Sequence, residues 1–407
     1  MNISIINIGD ELLQGFTLNT NALWLGKKLS QYGINICKVL SIPDNHDAII
    51  YETKNILKEN NEFLFVTGGL GPTHDDITKN AFCELFSDEL YFDETYYASL
   101  EKKYKSLLKE LPKINRSQAM LLKNAKNIPN DLGSALGIHY VYKKTNIFIM
   151  PGVPREMKNM INNYIIPDFI KLKQINNQVT IRTSGITESV LYETLSPLIK
   201  KYSSEFKFAF LPHYNGVSFR IIKNNKSFFE LNEIKNEFIN AMQPYYYGIN
   251  DDSLEMFIAD KLLNKNYTIA TAESCTGGLV GKRLSDLPGS SQYFLGTITA
   301  YSNTLKENIL NISKNTIKQY GAVSKETALE MAKNIRNITD ADIGISTTGI
   351  SGPTGDTKKK PLGLIYIAIN TSKLSKVKKY IFNTERYIHR ELSTTTALNL
   401  IRHFLNN

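Results

Sequence analysis

The sequence predicts an α/β protein in which two doubly wound α/β domains are joined by a small α+β domain. Two observations support this prediction: apolar, β-branched runs alternate with helical periodicity near both ends of the chain, and several of these runs end in glycine-rich turns. A length of 407 residues also exceeds the range over which one hydrophobic core usually grows. We predict domains at residues 1–168, 169–248 and 249–407.

Composition excludes several classes of protein. The chain is 42% hydrophobic and 21% charged, which is ordinary for a globular protein, and no apolar run reaches the roughly 18 residues of a membrane helix. The first residues have the pattern of a strand and not of a signal peptide, and the three cysteines are too widely spaced for a zinc or disulfide framework. We therefore expect a cytoplasmic protein without a membrane partner.

Net charge limits the expected partners. A value of +9 would suit nucleic acid or phosphorylated small molecules. The lysines are spread along the whole chain and form no basic stripe with interleaved aromatic residues, so nucleic acid is not an expected partner. We expect small-molecule nucleotides as ligands and a homodimer as the assembly.

The N-terminal segment alternates strands with helices. Strands are predicted at residues 3–8, 34–40 and 63–67, and acidic, glycine-bearing turns follow the first and third of them at residues 9–15 and 68–78. Ligands of a doubly wound sheet bind at the carboxyl ends of its strands, so the two turns predict a binding site. Surface turns followed by a helix cap are the alternative interpretation.

The turn at residues 68–78 combines tight glycines with two adjacent carboxylates. Its amides could hold a phosphate group, and the carboxylates of Asp75 and Asp76 could hold a divalent metal ion. Glu11 offers a further oxygen ligand after the first strand. The predicted N-terminal site consists of Glu11, Asn21, Gly68, Gly69, Gly71, Thr73, Asp75 and Asp76.

The middle of the chain has a different pattern. Strands at residues 179–183, 206–211 and 217–222 with a helix near 188–201 predict the small α+β domain. We assign it no chemistry, and we interpret His213 beside a proline as a loop histidine.

In the C-terminal segment, an apolar run at residues 268–272 breaks into small hydroxyl, thiol and glycine residues. This pattern predicts a buried strand and a strand-to-helix turn that carries Ser274 as a nucleophile. The amides of Thr276, Gly277 and Gly278 are expected to hold an oxyanion and to contact the substrate. A helix cap without chemistry is the alternative.

A serine hydroxyl needs a base at neutral pH, and a buried lysine with a depressed pKa can serve. Lys306 follows a predicted strand at residues 297–301 and is our candidate, with Tyr301 relaying a proton or orienting the substrate. An exposed lysine and a tyrosine at the edge of the core are the alternative. Cys275 is the competing nucleophile, because a thiolate is intrinsically more reactive than a hydroxyl.

A third turn of glycines and hydroxyls follows a predicted strand at residues 341–348. Thr348 and Gly349 in this turn suit contact with ribose or phosphate. Arg386 and Arg390 are four residues apart and would share one face of a helix, which suits an anionic phosphate. Two solvated arginines would show the same spacing.

These motifs resemble those of the CinA family. Gly-Asp-Glu-Leu-Leu at residues 9–13, the turn at 68–78 and Met-Pro-Gly-Val-Pro-Arg-Glu-Met at 150–157 resemble its N-terminal molybdopterin-cofactor-binding-like domain. Residues 271–278, Tyr301 with Lys306, and residues 321–324 and 348–353 resemble the C-terminal CinA domain.

The resemblance implies two activities. The C-terminal domain is expected to hydrolyse the carboxamide of nicotinamide mononucleotide without a cofactor, and the N-terminal domain to hydrolyse ADP-ribose with a divalent metal ion. By the same resemblance, Asp76 takes the position that contacts the phosphate region of a pterin. Residues 382–386 read Phe-Asn-Thr-Glu-Arg where the family has a Gly-Asp-Arg turn, a departure that concerns Arg386 more than Arg390. The alternative is a non-catalytic nucleotide- or pterin-binding protein linked to competence or DNA damage.

Overall fold

The computed structural model describes residues 2–59, 61–170, 177–214, 216–224, 227 and 229–406. The chain divides into two compact units, Met1–Asn176 and Asn177–Asn407. The predicted boundaries at residues 168 and 248 stay predictions, because the contacts divide the chain at one point only. Within the described part of the chain, no helix combines the length and the apolar character needed to cross a membrane.

The first unit contains eight named strands and six named α-helices in its described residues. The strands are β1 (Asn2–Ile8), β2 (Asn35–Ile42), β3 (Phe63–Thr67), β4 (Leu90–Phe92), β5 (Met120–Leu122), β6 (Lys126–Ile128), β7 (Gly137–Tyr142) and β8 (Thr145–Met150). The helices are α1 (Asp10–Leu13), α2 (Thr20–Ser30), α3 (His46–Lys58), α4 (Thr78–Leu85), α5 (Glu94–Ser106) and α6 (Pro154–Met160), with a 3₁₀ segment at Lys113–Ala119 and a π-helical segment at Ile161–Ile170.

The main sheet of this unit has the order β2-β1-β3-β8-β7-β6. The first four strands in this order are parallel, and β7 and β6 add an antiparallel edge. Strands β1 and β3 are almost completely buried, since separate apolar clusters cover the two faces of the sheet. Burial on both faces explains why these strands appear in the sequence as continuous apolar runs.

The second unit begins with the small α+β domain, which we call the connecting domain. Its strands β9 (Gln178–Thr183), β10 (Phe206–His213), β11 (Gly216–Lys223) and β12 (Tyr246–Ile249) form an antiparallel sheet of order β10-β11-β9-β12. Helices α7 (Glu188–Tyr202) and α8 (Leu231–Ala241) pack on this sheet through one apolar cluster. The observed architecture matches the predicted α+β pattern.

The remainder of the second unit is a second α/β domain. Its strands are β13 (Ile269–Glu273), β14 (Phe294–Thr299), β15 (Ile343–Gly349), β16 (Leu364–Asn370) and β17 (Ser375–Ile381). Its helices are α9 (Leu254–Lys265), α10 (Leu279–Ser285), α11 (Asn303–Asn308), α12 (Lys314–Tyr320), α13 (Lys325–Thr339) and α14 (Arg386–Asn406), with a 3₁₀ turn at Ser290–Gln292. The sheet order is β14-β13-β15-β16-β17, in which the first three strands are parallel and the last two antiparallel. The predicted α/β class is confirmed. In addition, both main sheets have antiparallel strands at one edge.

Arg402 of α14 joins the connecting domain to the C-terminal domain. Its side chain is fully buried, and its guanidinium donates to the carbonyl oxygens of Pro244 at 2.7 Å, Tyr246 at 3.0 Å and Ser184 at 3.3 Å. Burial lowers its pKa to about 10. Three carbonyls of the connecting domain are therefore tied to one helix of the C-terminal domain.

Candidate active site

The carboxyl end of β13 is the point at which three predicted turns meet. Glu273, the last residue of β13, is in register with Thr299 of β14 on one side and Thr347 of β15 on the other. The chain leaves β13 for one neighbour and then crosses over to the other, so this edge is a topological switch point. Crevices that bind ligands form at such points in doubly wound sheets.

Ser274 lies directly after β13. Its amide donates to the carbonyl oxygen of Thr347 at 2.9 Å, and the residue is only 9% exposed. The Nζ atom of Lys306 is 3.0 Å from Ser274 Oγ and also donates to the carbonyl oxygen of Ala300 at 2.7 Å. The structure thus brings the predicted nucleophile and the predicted base within hydrogen-bonding distance.

Lys306 is buried, with 1% of its surface exposed, so the alternative of an exposed lysine is wrong. Burial lowers its pKa to about 8, although the nearby Cys275 acts weakly in the opposite direction. No carboxylate forms an ion pair with it in the described part of the chain. A substantial fraction of this amine is therefore neutral near pH 8 and able to accept a proton.

Glu273 is a site residue whose role the sequence did not reveal. Its carboxylate is completely buried and accepts hydrogen bonds from the amides of Gly278 at 2.9 Å, Val280 at 3.1 Å and Gly281 at 2.7 Å. The hydroxyl of Thr276 donates to the same carboxylate at 2.6 Å. These bonds satisfy the N-terminal amides of α10 and fix the turn that follows Ser274.

These hydrogen bonds contradict the prediction that the amides of Gly277 and Gly278 hold an oxyanion. The amide of Gly278 is occupied by Glu273, and the amide of Gly277 donates to the carbonyl oxygen of Ser274 at 3.1 Å. Both glycines have positive φ, +62° at Gly277 and +93° at Gly278, so they provide the conformation of the turn. Their amides are not available to a developing negative charge, because the turn itself uses them.

Tyr301 and the two arginines lie at the entrance to the site. Tyr301 is 59% exposed, and its hydroxyl accepts from Nη2 of Arg386 at 2.6 Å. Arg390 lies one turn further along α14 and donates to the carbonyl oxygen of Thr276 at 2.9 Å. No hydrogen bond joins Tyr301 to Lys306 among the described residues, so the contacts of Tyr301 suit an orienting role better than a proton relay.

The turn after β15 packs against residues 274–278, which carry the predicted nucleophile and which we call the nucleophile turn. The hydroxyl of Thr348 is buried and donates to the carbonyl oxygen of Ala322 at 2.7 Å. A Cβ atom on Gly349 would lie 2.6 Å from the carbonyl oxygen of Leu364 and 3.1 Å from Cys275 Sγ. Only glycine therefore allows these two turns to approach so closely.

Cys275 is buried beneath this contact. Burial raises the pKa of its thiol to about 12, and the carboxylate of Glu273 contributes in the same direction. The thiol is therefore protonated at neutral pH, whereas nucleophilic cysteines have a depressed pKa. Of the two adjacent candidates, the structure favours Ser274.

His389 is a second buried residue that the sequence did not reveal. Its Nε2 atom is 3.1 Å from the carbonyl oxygen of Gly363, and its Nδ1 atom is 2.9 Å from Ser351 Oγ. A carbonyl only accepts, so we assign the ring proton to Nε2 and the Ser351 hydroxyl as donor to Nδ1. His389 thereby ties the turn after β15 to the first turns of α14, between the two arginines.

The predicted N-terminal site lies in the first unit. Asp76 accepts from the amides of Gly71 at 2.7 Å and Thr73 at 2.8 Å and from the Thr73 hydroxyl at 2.5 Å, so its carboxylate stabilises its own loop. Glu11 and Asn21 line a neighbouring cavity of about 90 Å³. The glycines Gly68 and Gly69 have positive φ and approach the backbone of Ile8 and the hydroxyl of Thr78, respectively.

Carboxylates gather beside that loop. Burial raises the pKa of Asp44, and the charges of Asp10, Glu11 and Asp75 raise it further, while the Asp10 amide acts in the opposite direction. Among the residues that the structure describes, however, no three His, Cys, Asp or Glu side chains are arranged to hold one metal ion. With Asp76 bonded within its loop, the geometry does not fit a preformed metal site, and we derive no metal-dependent step from it.

Fold and site together define an α/β protein with a buried serine–lysine pair at a switch point. Residues 251–405 match the CinA C-terminal domain, and residues 4–171 match the probable molybdopterin binding domain. The chain is 36% identical over 404 residues to the CinA-like protein of Thermosipho melanesiensis and 37% identical over 415 residues to that of Chloroherpeton thalassium, with 99% of each chain covered. It therefore belongs to the CinA family, which confirms the resemblance seen in the sequence.

Solved structures are similar to parts of the chain. One is described as the protein CinA with unknown function from Thermoplasma acidophilum; it is 30% identical and covers 41% of this chain and 96% of that chain, with a TM-score of 0.38.

The state of the Cys275 thiol is testable by alkylation. We expect iodoacetamide at pH 8 to modify the exposed Cys37 rapidly and Cys275 slowly, because Cys275 is buried and its pKa is about 12. Peptide mass spectrometry over a time course measures both rates in the same folded sample. Equal rates at the two residues would contradict the environment described for Cys275.

Proposed function

We propose that the C-terminal domain hydrolyses the carboxamide of nicotinamide mononucleotide to nicotinate mononucleotide and ammonia. The observation that supports this proposal is the pair of Ser274 and Lys306, 3.0 Å apart, in which burial lowers the pKa of the lysine to about 8. A hydroxyl next to a neutral amine is one arrangement that supports nucleophilic catalysis of acyl transfer, because the amine can accept the proton of the hydroxyl. Family membership fits this proposal.

The chemistry follows from the two side chains. Ser274 Oγ attacks the carboxamide carbon while its proton passes to the neutral amine of Lys306. The tetrahedral intermediate then collapses, the C–N bond breaks, and the leaving nitrogen takes the proton from Lys306 and departs as ammonia. Water attacks the resulting ester, gives its proton to Lys306 and releases nicotinate mononucleotide, after which the proton returns to Ser274 Oγ.

Binding of the nucleotide is assigned to the groups at the entrance. Arg386 is exposed, and Arg390 lies beside Gly277, so the two guanidinium groups form a cationic rim above the nucleophile turn. We propose that this rim binds the phosphate, with both arginines available for it. Thr348 and Gly349 shape the wall of the crevice through their packing, since the Thr348 hydroxyl is already bonded to the backbone.

The first test is ammonia release from nicotinamide mononucleotide. We expect Ser274→Ala to lower kcat by about 10⁴-fold or more, as loss of a catalytic nucleophile does. Ser285→Ala is the matched control, because Ser285 is an exposed serine in the same domain. Undiminished turnover by Ser274→Ala would sink the assignment of the nucleophile, and loss of turnover on thiol alkylation in that variant would assign it to Cys275.

The second test is the pH profile. The neutral amine is the active form of Lys306, so we expect kcat to rise with pH and to level off above an apparent pKa near 8. Lys306→Met should remove this limb and lower kcat by about 10²- to 10⁴-fold. The exposed Lys282 provides the control Lys282→Met. A wild-type profile that stays flat from pH 6.5 to about 9 would exclude Lys306 as the base.

Hydrolysis of ADP-ribose by the N-terminal domain is a second candidate activity. The cavity lined by Glu11 and Asn21 is the observation that favours it, because this cavity lies at the carboxyl end of β1 in a doubly wound sheet. The test is AMP formation from ADP-ribose, measured with and without added Mg²⁺ or Mn²⁺, and we expect Asp75→Asn to reduce it without breaking the loop that Asp76 stabilises. Asp47→Asn, at an exposed carboxylate, is the control. Binding of either nucleotide without product would favour a non-catalytic binding protein.

A further inference from the structure

His389 is a buried ionisable residue that the proposed reaction does not use. It is fully buried in the first turn of α14, and along the chain it lies between Arg386 and Arg390 at the entrance of the site. Its Nε2–H donates to the carbonyl oxygen of Gly363 at 3.1 Å, and its Nδ1 accepts from the hydroxyl of Ser351 at 2.9 Å. Both nitrogen atoms of the ring therefore have partners, which lie on two other segments of the domain.

The surroundings of His389 favour the neutral ring. Burial lowers its pKa, the hydrogen bond to Gly363 acts in the opposite direction, and the charge of Arg386 lowers the pKa further. A neutral imidazole has one donor and one acceptor, which match the carbonyl of Gly363 and the hydroxyl of Ser351. With both nitrogen atoms engaged, the ring connects two segments and presents no free nitrogen to a substrate.

The partner of His389 at Nε2 is well anchored. The carbonyl oxygen of Gly363 also accepts from the amide of Phe382 at 2.9 Å, and the amide of Gly363 donates to the carbonyl oxygen of Ile350 at 2.8 Å. The ring of Phe382 packs edge-on against the imidazole, with their centroids 6.0 Å apart. Gly363 directly precedes β16, so the main sheet gives His389 a defined point of attachment.

The partner of His389 at Nδ1 belongs to a segment with few hydrogen bonds. Among the described residues, the segment 351–356 makes two of them: Ser351 with His389, and the carbonyl oxygen of Gly352 with Nη1 of Arg386 at 2.6 Å. Ser351 is only 8% exposed, so water has little access to replace the imidazole at its hydroxyl. The histidine is therefore a main support of the turn that carries Gly352.

The carbonyl of Gly352 is one of two acceptors that orient Arg386. The second is the hydroxyl of Tyr301, 2.6 Å from Nη2 of the arginine. Both acceptors are neutral, and no carboxylate forms an ion pair with Arg386 in the part of the chain that the structure describes. Its charge and its remaining N–H groups are therefore available to an anion. Because an exposed arginine has many conformations, fixing it before the substrate arrives lowers the entropic cost of binding.

We propose that His389 is a positioning residue of the amidase site: it holds the turn after β15 so that the carbonyl oxygen of Gly352 orients Arg386 for the phosphate of the substrate. This inference rests on the proposed function and adds to it a residue that touches neither the substrate nor the nucleophile. The alternative is a buried histidine that only stabilises the domain. Positioning of Arg386 affects a substrate that carries a phosphate, whereas a loss of folded protein affects every substrate equally.

Kinetics of the full chain with two substrates test this proposal: nicotinamide mononucleotide, and nicotinamide riboside, which lacks the phosphate. We expect His389→Leu and Ser351→Ala to raise KM for the mononucleotide about tenfold, to change kcat by less than about twofold, and to leave kcat/KM for the riboside near the wild-type value. His389→Asn places an amide near the position of Nδ1 and should restore most of the lost affinity, because its oxygen can accept from Ser351. His403→Gln, at a partly buried histidine of the same helix, is the control.

Two kinetic outcomes would overturn the positioning role. One is an equal loss of kcat/KM for the two substrates, and the other is a wild-type KM for the mononucleotide in both His389→Leu and Ser351→Ala. If His389→Leu does not fold, Ser351→Ala decides alone, because it removes the same hydrogen bond with a smaller change in the core. Either outcome in an enzyme that releases ammonia leaves the proposed function standing.

Binding separates the two proposals in the opposite case. Calorimetric titration with the mononucleotide compares Ser274→Ala with Ser274→Ala/Ser351→Ala, so that turnover does not enter the measurement. If wild type releases no ammonia, the proposed function fails, and weaker binding to the double variant than to Ser274→Ala still supports the positioning role. Equal binding to the two proteins, or no saturable binding to either, overturns the positioning role.

Discussion

The buried carboxylate of Glu273 is the interaction on which the C-terminal site depends. A carboxylate without solvent is costly unless its oxygen atoms are fully bonded, and here three amides and a threonine hydroxyl satisfy them. The same bonds fix the path of the chain after Ser274. Because hydrogen bonds to one side chain define this turn, they also limit the position of Ser274.

The site contains a buried carboxyl group, Glu273, and a buried amine, Lys306, whose surroundings differ. Glu273 accepts hydrogen bonds from several donors, whereas Lys306 contacts Ala300 and Ser274, and burial lowers its pKa to about 8. Cys275 lies near both groups, and its thiol stays protonated. The environment therefore favours the neutral amine of Lys306 and keeps the thiol of Cys275 protonated, so Ser274 and Cys275 differ in chemical character although they are adjacent.

The sequence was sufficient for those parts of the structure that depend on local pattern. Continuous apolar runs identified β1, β3 and β13 because these strands are buried on both faces, and the strand-end rule brought Ser274 and Lys306 together. The sequence pattern could not predict the hydrogen bonds that depend on the direction in which a side chain points. Gly278 was expected to face an oxyanion, yet its amide bonds to Glu273, and Tyr301 was expected near Lys306, yet it bonds to Arg386. His389 and Arg402 gave no signal, because nothing in a helical pattern reveals which distant carbonyls a polar side chain will meet.

Helix α14 has its two ends in different environments. Its first turns carry Arg386 and Arg390 at the entrance of the site, and Arg402 lies about 24 Å further along its axis at the rise of a regular helix. Three of the oxygen atoms that satisfy Arg402 belong to the connecting domain. A fragment without the connecting domain would therefore have to hydrate a guanidinium group that the intact protein keeps dry, and the disturbance would begin in the helix that carries Arg386 and Arg390.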